Sequence, residues 1–476
     1  MLEGHEISIV PKSKLDRIQD RLDSEFYQKK YIEYGYILKK QGFKTLEDWG
    51  AQLDCSAFYP AITDYYNFEG RGIPFIRVNE IQDGMVEITK ATAFLPPFVL
   101  DMNSKTIAKT YPNDIIIAKG GNTLAKVGIV TDEYPEYAVC RDVIVLRTHN
   151  IPENVRYYIW GFMHSNYGYE AMIRTASQTG QPHLTLPFVL NLKVPYMSQS
   201  FYSMTKELYD RAKYLRDNAN RLYEETDRLL GQTLNVDFSM LDNQSSSHRV
   251  QTFRNSFLSS GRLDAEYYQH KYDWLFSFLR SAVTKRLGDI TNIQKSIEPG
   301  SDLYETGGIP FVRVADITKF GITEPSVYLN PELFRDVIRP KKDAILLTKD
   351  GSVGIAYKVE KDENFVTSGA ILHLYVNNDC ILPDYLALII NSKIVQMQAE
   401  RDAGGSIIQH WKPSEISDVI IPVIPMEDQI WISSKVQESF RLRHESNRLL
   451  DVAKQAVEIA ISKNEETALK FLKDNG

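Results

Sequence analysis

The chain of 476 residues is long for one hydrophobic core, and at roughly 150 residues per domain two to three domains are expected. Hydrophobic residues make up 43% and charged residues 25%, which excludes a chain that is disordered or fibrous throughout. The net charge of -7 argues against a bulk electrostatic nucleic-acid binder, so any DNA contact must be local or shared with a partner.

Cysteine usage and the N-terminal residues indicate the cellular compartment. Cys55, Cys140 and Cys380 are far apart and form no CxxC pair, so they predict neither a disulfide framework nor a cysteine zinc site. The chain begins with Glu3 and Glu6 where a signal peptide would be basic and then apolar, and no stretch approaches the ~18 apolar residues of a membrane span. We therefore expect an untargeted, cytoplasmic protein.

Short β-branched runs between Gly and Pro residues predict strands, and longer periodic segments predict helices. The predicted strands are residues 73–78, 115–118, 143–146, 309–314, 345–348 and 371–376. The predicted helices are residues 152–174 and 383–400, with two long polar helices at about 199–230 and 428–462. Each globular region is therefore expected to be mixed α and β.

The chain also contains an internal repeat, whose order organises the other motifs. Arg-Leu-Asp-x-Glu-Phe/Tyr-Tyr starts at Arg21 and again at Arg262, and Gly-Ile-Pro-Phe-x-Arg-Val starts at Gly72 and again at Gly308. Further on, Lys-x-Gly followed by Val-Gly-Ile occurs twice, and a His and a Pro precede each long helix at matching places; these are residues 119–129 and 349–355, His183 and Pro195, and His410 and Pro422. The repeat indicates a globular domain followed by a helix, written twice.

The domain boundaries follow from this repeat and from a segment rich in Ser, Asn, Asp and Gln, which has linker character. They are residues 1–196 for the first globular domain, 197–232 for a central helix, 233–261 for the linker, 262–424 for the second globular domain and 425–476 for a C-terminal helix and tail. The expected fold class is mixed α/β (α+β), with two repeated globular domains joined by two long helices.

Both long helices carry heptad rows of large and small side chains, which are typical of coiled-coil packing. A two-fold-like relation between the copies would make the helices an antiparallel pair, and ~30 residues at 1.5 Å rise would span ~45 Å, about one helical turn of DNA or slightly more. A single stripe of this kind would rather pack on its own domain, but its duplication favours the helix pair. The predicted interface comprises Leu208, Ala212, Leu215, Ala219, Leu222, Val436, Ser446, Leu450, Ala453 and Val457.

Motifs of catalysis are missing from the sequence. The Gly-rich segment 120–126 has the wrong spacing for a phosphate loop, and neither GxGxxG, HExxH nor GxSxG occurs. The Asp/Asn-Pro-Pro-Tyr/Phe tetrapeptide of amino-methyltransferases is also absent, and Asp83 with Glu87 and Lys90 is a weak echo of a nuclease site. We therefore predict a non-catalytic chain that binds no metal or cofactor itself.

The duplicated motifs, together with Ile421-Pro-Val-Ile-Pro-Met-Glu-Asp-Gln429 before the last helix, resemble the specificity subunit of type I restriction-modification enzymes, the HsdS family. The resemblance spans nearly the whole chain and rests on the order of the motifs. One departure is residues 194–199, where the first copy lacks the fuller Pro-x-x-Pro-x-Glu-Asp-Gln of the second. The start of the first long helix is therefore less well defined.

The resemblance implies that each globular domain is a target recognition domain, which reads one half of a bipartite site in double-stranded DNA. It further implies that the long spacer helices dock two methyltransferase subunits, which methylate adenine at N6 with S-adenosylmethionine. Restriction subunits, which use ATP and Mg, would join them to cleave unmodified DNA.

Polar residues in Gly-containing loops are the candidates for reading bases, because the backbone can approach a groove there. Lys favours guanine, Asn and Gln favour adenine, and Asp350 could accept a hydrogen bond from a cytosine amino group. We expect a minority of these side chains to contact bases and the others to be solvated. The candidates are Lys119, Asn122, Lys126, Gln178, Gln181, His183, Lys349, Asp350, Ser352, Gln409, His410 and Lys412.

Two other functions remain open at this stage. One is a duplicated protein-interaction scaffold that does not bind DNA, and the other, weaker one is an enzyme with an unrecognised nuclease or methyl-transfer site. Some residue types are also open to a structural role: Arg77 and Arg313, at the ends of apolar strands, are expected to form ion pairs rather than DNA contacts.

Overall fold

The computed structural model describes residues 7–15, 21–68, 70–89, 91–176, 182–236, 249–323, 325–404 and 409–476. Their contacts divide the chain into two compact units. The first unit is Met1–Leu215 with Glu445–Gly476, and the second unit is Arg216–His444. Each predicted spacer helix is therefore shared between the two units rather than forming a segment of its own.

The first half of the chain alternates short strands with helices. Its strands are β1 (Phe43–Thr45), β2 (Gln52–Cys55), β3 (Ile73–Ile76), β4 (Ile81–Gln82), β5 (Met85–Val86), β6 (Ala93–Leu95), β7 (Lys109–Thr110), β8 (Ile115–Ala118), β9 (Val127–Ile129), β10 (Tyr137–Val139), β11 (Val143–Arg147) and β12 (Lys193–Pro195). Its helices are α1 (Lys29–Gln41), α2 (Pro97–Met102), α3 (Glu153–His164), α4 (Asn166–Thr175), α5 (Leu186–Leu190) and α6 (Gln199–Thr233).

The second half follows the same alternation. Its strands are β13 (Thr284–Arg286), β14 (Thr291–Lys295), β15 (Tyr304–Glu305), β16 (Ile309–Val312), β17 (Ile317–Thr318), β18 (Gly321–Ile322), β19 (Tyr328–Leu329), β20 (Ile345–Thr348), β21 (Ala356–Lys358), β22 (Val366–Thr367), β23 (Ile371–Val376) and β24 (Ile420–Pro422). Its helices are α7 (Phe257–Ser260), α8 (His270–Ser281), α9 (Leu287–Ile290), α10 (Pro383–Asn391), α11 (Lys393–Asp402), α12 (Pro413–Ser417), α13 (Met426–Ser462) and α14 (Glu465–Asn475). The mixed α/β prediction is confirmed.

The first unit is built on a six-stranded sheet in the order β2-β11-β8-β9-β5-β4 and a four-stranded sheet in the order β6-β3-β10-β7. The central strand β8 is buried along its whole length. Ile115 and Ile117 belong to one hydrophobic core, and Ile116 and Ala118 belong to another. Because side chains alternate across a strand, β8 is apolar at every position and separates two cores.

The second unit repeats four neighbouring strands of the six-stranded sheet. Its order β14-β23-β20-β21 matches β2-β11-β8-β9, and each neighbouring pair in both sets is antiparallel. The second sheet again contains one parallel pair, β16 with β22, as β3 pairs with β10 in the first unit. The repeated motifs of the sequence therefore correspond to a repeated sheet topology.

Side-chain contacts that start and end each copy are also repeated. Arg21 Nη2 donates to Asp23 at 2.8 Å, and Arg262 Nη2 donates to Asp264 at 2.7 Å. At the other end, the hydroxyls of two buried tyrosines donate at 2.8 Å to carbonyls of the strand before each long helix; the pairs are Tyr158 with Pro195 and Tyr385 with Pro422. A buried hydroxyl needs a partner, so these bonds fix where each helix leaves its sheet.

The arginines of the Gly-Ile-Pro-Phe-x-Arg-Val strands form ion pairs, as predicted. Arg77 Nη2 lies 2.9 Å from a carboxylate oxygen of the buried Glu80, and Arg313 Nε lies 3.7 Å from Asp316. In both copies the same carboxylate also accepts the arginine's backbone N–H at 2.8 Å. These interactions cap the short turn that follows each strand.

Small residues bring α6 and α13 close together within each unit. In the first unit the Ser446 hydroxyl donates to the carbonyl of Ala212 at 2.7 Å, and in the second unit Ser439 donates to Ala219 at the same distance. Hydroxyl-to-carbonyl contacts between helices require almost no intervening side chain, which explains the row of Ala and Ser. The Lys435 ion pair with Glu225, at 3.2 Å, lies further along α6 but earlier along α13 than the Ser439 contact with Ala219, so the two segments run antiparallel in the second unit.

The buried rows of α6 differ in part from the predicted ones. Most of the predicted interface residues are buried, namely Leu208, Ala212, Ala219, Val436, Ser446, Leu450, Ala453 and Val457. Leu215 and Leu222 are only half-buried. The row that is buried beside the small residues consists of Tyr209, Arg216, Tyr223 and Leu230. The sequence stripe missed this row because it contains an arginine and two tyrosines instead of aliphatic side chains.

Two arginines lie in this buried row and in its counterpart on α13. Arg216 is 2% exposed and Arg443 is 6% exposed. The Arg443 guanidinium lies 4.2 Å from the centre of the Phe320 ring and donates to the Asn220 side chain at 3.2 Å. Both contacts lie inside the second unit, where a buried guanidinium needs hydrogen-bond and aromatic partners.

We predict that Ala219→Leu destabilises the second unit by about 1–3 kcal/mol, because a larger side chain cannot fit where the Ser439 hydroxyl contacts the Ala219 carbonyl. The measurement is the urea unfolding midpoint. Glu224→Leu places the same side chain at an exposed position of the same helix and should leave the midpoint nearly unchanged. Equal effects of the two substitutions would contradict the close packing of this row.

A second prediction concerns His373 on β23, whose side chain is fully buried and whose Nε2 lies 2.8 Å from the Thr367 hydroxyl. Burial lowers the pKa of His373 from 6.5 to about 4. The unfolded chain therefore takes up this proton first as the pH falls, so stability present above pH 6.5 is lost between 6.5 and about 4. The equivalent residue of β11 is Val145.

His373→Val should remove this part of the acid sensitivity, a difference on the order of 2 kcal/mol between pH 7 and pH 4. The measurement is the urea midpoint of both proteins across that range. His270→Val, at an exposed histidine of the same unit, serves as the control and should behave like the wild type. A parallel pH dependence of His373→Val and wild type would show that folding does not lower the pKa of His373.

Candidate nucleic-acid interface

In the second unit the loop after the buried strand β20 pairs with the segment before α12. Asp350 and His410 form an isolated backbone bridge, and the same His410 pairs with Gly404. The Trp411 N–H donates to the Lys349 carbonyl at 2.8 Å, and the Gly351 N–H donates to the Gln409 carbonyl at 2.9 Å. Candidate residues that are about 60 positions apart in the sequence therefore lie side by side.

The first unit has the same arrangement after β8. Gly120 and His183 form the equivalent backbone bridge, and the Leu184 N–H donates to the Lys119 carbonyl at 2.8 Å. The next residue in both loops is a glycine with positive φ, 72° at Gly121 and 73° at Gly351. Only glycine adopts this conformation without strain, which explains the Lys-x-Gly motif in both copies.

The three polar side chains of the second unit's loop pair form a connected group. Lys349, which is 9% exposed, pairs with one carboxylate oxygen of Asp350. The other oxygen, Oδ1, lies 2.9 Å from His410 Nδ1. The His410 side chain is itself 63% exposed. The His410 imidazole is therefore exposed to solvent, while Asp350 and the buried Lys349 hold it in position.

The remaining candidates of the second unit are at the surface. Ser352 and Gln409 are exposed and contribute backbone carbonyls to the loop, and Lys412 is exposed and pairs with Glu415 at 3.0 Å. The Lys412 backbone N–H also donates to the Glu415 carboxylate at 3.0 Å, and this bond caps the start of α12. These side chains lie on the same loop pair as His410 and are available at its edge.

The candidates of the first unit are less uniform. Lys119 and His183 are half-buried on the loop pair, whereas Lys126 lies further from it, near Asp83 and His164. Burial lowers the pKa of Lys126, and burial also lowers the pKa of His164 to about 4. The side chain of Asn122 and the residues Gln178 and Gln181 lie outside the described part of the structure.

Gly120 is the main difference between the two loop pairs. A Cβ atom at this position would lie 2.3 Å from His183 Nδ1, so the imidazole occupies the space that a side chain would need. The second unit has Asp350 at the equivalent place, where the carboxylate contacts the edge of the His410 ring. Sequence reasoning selected His183, Asp350 and His410 but not Gly120, and it could not show that the carboxylate and the imidazole contact each other.

The residues that the structure describes include no group of three or more His, Cys, Asp or Glu side chains that could hold a metal ion. Among the helices that the structure describes, none is long and apolar enough to cross a membrane.

Solved structures of two other proteins are similar to this chain. One is the type I restriction-modification system S subunit from M. genitalium, with 14% identity, 90% of this chain and 95% of that chain covered, and a TM-score of 0.31. The other is the HsdS subunit from Thermoanaerobacter tengcongensis, with 12% identity, 90% and 96% covered, and a TM-score of 0.27. Both TM-scores are below 0.5, so neither similarity establishes a shared overall arrangement.

A family comparison identifies the second unit. No curated protein matches the chain. The family model described as "Type I restriction modification DNA specificity domain" matches residues 281–449, which include the whole Lys349, Asp350 and His410 group. The match confirms the predicted resemblance over these residues. Residues 281–449 of this chain are therefore similar to the type I restriction modification DNA specificity domain.

Proposed function

We propose that this chain is the DNA sequence-specificity subunit of a type I restriction-modification complex, in which each unit reads one half of a bipartite DNA site. The observation that carries the proposal is the loop pair after the central strand, which occurs once in each unit and lies in the matched specificity domain in the second. Two equivalent surfaces on one chain fit a site with two halves. The different side chains of the two surfaces fit halves of different sequence.

The first unit is included because it repeats the architecture of the second. The antiparallel strands, the loop pair and the tyrosine-to-carbonyl bonds are equivalent in both. We therefore assign a DNA-reading surface to the loop pair of the first unit, because it occupies the same place in the topology as the loop pair of the second unit. The bases that the first unit reads would differ from those of the second, because Gly120 occupies the position of Asp350.

The remainder of the activity is assigned to partners. A chain with net charge -7 gains little from neutralising phosphates, so a partner must supply most backbone contacts to DNA. We assign N6-adenine methylation, with S-adenosylmethionine, to two methyltransferase subunits docked on α6 and α13. Cleavage, with ATP and Mg, is assigned to restriction subunits, and the complex is placed in the cytoplasm.

The test is single-molecule methylome sequencing of a host that lacks other DNA methyltransferases and expresses this chain with its neighbouring methyltransferase gene. We expect N6-methyladenine in both halves of one split motif. Omitting this chain should abolish the methylation. Methylation that is absent, or unchanged without this chain, would contradict the proposal and favour a protein-interaction scaffold.

A matched pair of variants tests the assignment of halves. His183→Ala and His410→Ala change equivalent positions in the two loop pairs. Each should relax or weaken recognition in a different half of the motif and leave the other half intact. Loss of both halves together from either substitution would contradict independent reading by the two units.

A further inference from the structure

We infer that His410 reads an exocyclic amino group of a base through its Nε2 atom, and that Asp350 and Lys349 are positioning residues for this imidazole. The inference rests on the proposed function and names the chemical group that the second unit recognises. It starts from the contact of 2.9 Å between His410 Nδ1 and Asp350 Oδ1. The imidazole is the exposed member of the group, and the lysine is the buried one.

The carboxylate determines which nitrogen of the imidazole carries the proton. An ionised carboxylate only accepts hydrogen bonds, so His410 Nδ1 must donate in the contact with Asp350. A neutral imidazole carries one proton, and with this proton on Nδ1 the other nitrogen, Nε2, is left as an acceptor. The ion pair between Lys349 and one carboxylate oxygen of Asp350 holds the other oxygen toward the ring.

The backbone fixes the ring as firmly as the side chains do. His410 exchanges two hydrogen bonds with Gly404, of 2.7 and 3.1 Å, and its neighbour Trp411, which is buried, is bonded to the Lys349 carbonyl. The imidazole therefore needs little further ordering when it meets a ligand. An acceptor held in this way is suited to selective hydrogen bonding, since little entropy is lost on binding.

An acceptor at the groove selects bases that offer a donor. In the major groove the donors are the N4 amino group of cytosine and the N6 amino group of adenine, whereas guanine offers only acceptors there. Asp350 itself is a weaker candidate than the sequence indicated, because both of its carboxylate oxygens are engaged, one by Lys349 and one by His410. We therefore assign recognition of an exocyclic amino group to the His410 imidazole instead of the Asp350 carboxylate.

The first unit gives a natural contrast. Gly120 has no carboxylate to orient His183, and the space above Gly120 is taken by the ring of His183 itself. The tautomer of His183 is therefore not set by an acidic residue at this position. The inference concerns the second unit alone.

The test uses the full chain assembled with its methyltransferase subunits and duplexes that carry the split motif. At each position of the second half-site, adenine is replaced by purine or cytosine by 2-pyrimidinone, which removes only the exocyclic amino group. For the wild type we expect one position where this removal weakens binding about tenfold, in the range of one base hydrogen bond. Which analogue has the effect distinguishes adenine from cytosine.

His410→Phe keeps the ring shape and removes the acceptor, so the tenfold penalty at that position should disappear. Asp350→Asn is the second variant, because an amide can donate to the imidazole as well as accept from it and no longer fixes the tautomer. It should reduce the penalty to less than about threefold. His270→Phe is the matched control, an exposed histidine 3.4 Å from Asp273 in the same unit, and it should keep the full penalty.

Two results would overturn the inference in distinguishable ways. If His410→Phe or Asp350→Asn still binds the split motif and keeps the full penalty at that position, another group reads the amine and the proposed function stands. If the wild-type complex prefers no split motif at all, the proposed function fails and the inference fails with it. A penalty that disappears in His410→Phe and stays in His270→Phe supports it.

Discussion

The candidate interface depends on backbone pairing between two segments that are far apart in the sequence. In each unit a completely buried strand, β8 or β20, is followed directly by a lysine, whose carbonyl accepts an N–H from the residue just after the histidine. A loop that leaves a buried strand and is bonded at once to a second segment has little freedom to move. Polar side chains on this loop pair therefore stand on the rigid part of the fold.

Duplication of this scaffold with different side chains gives two surfaces of different chemistry. The backbone bridge between Gly120 and His183 is equivalent to the bridge between Asp350 and His410. At the first bridge the His183 ring fills the space beside Gly120, whereas at the second Asp350 supplies a carboxylate to the His410 ring. Bridges made by main-chain atoms do not depend on side-chain identity. The scaffold can thus stay constant while the groups that meet a ligand change.

The sequence predicted the repeat, the strands of the central sheet and the two long helices, because these depend on local pattern and on motif order. It did not predict which row of α6 is buried beside the small residues. Leu215 and Leu222 satisfy a heptad rule, but Tyr209 and Tyr223 are the more buried side chains, since the aromatic rings pack against the globular units. The heptad periodicity predicts which face of α6 is buried, but not which of the neighbouring rows on that face packs against the rest of the unit.

The candidate site was predictable in composition and unpredictable in geometry. The sequence indicates three separate candidates for base contacts, Lys349, Asp350 and His410. Their mutual contacts arise only because the fold brings the two segments together. Lys126 shows the opposite case, because it follows the loop in sequence but lies half-buried near Asp83. Contacts between distant segments determine both outcomes, and no local pattern encodes them.

Charge also separates specificity from affinity in this chain. Lys349 is buried and paired with Asp350, so it is not available to a phosphate. Lys412 is exposed, and its surface ion pair with Glu415 can be exchanged for a phosphate at little cost. One such cation contributes little compared with the several phosphate contacts that a stable complex on DNA requires. A surface built in this way can distinguish bases, but it needs partner subunits to hold it on the duplex, and its selectivity should therefore be measured in the assembled complex.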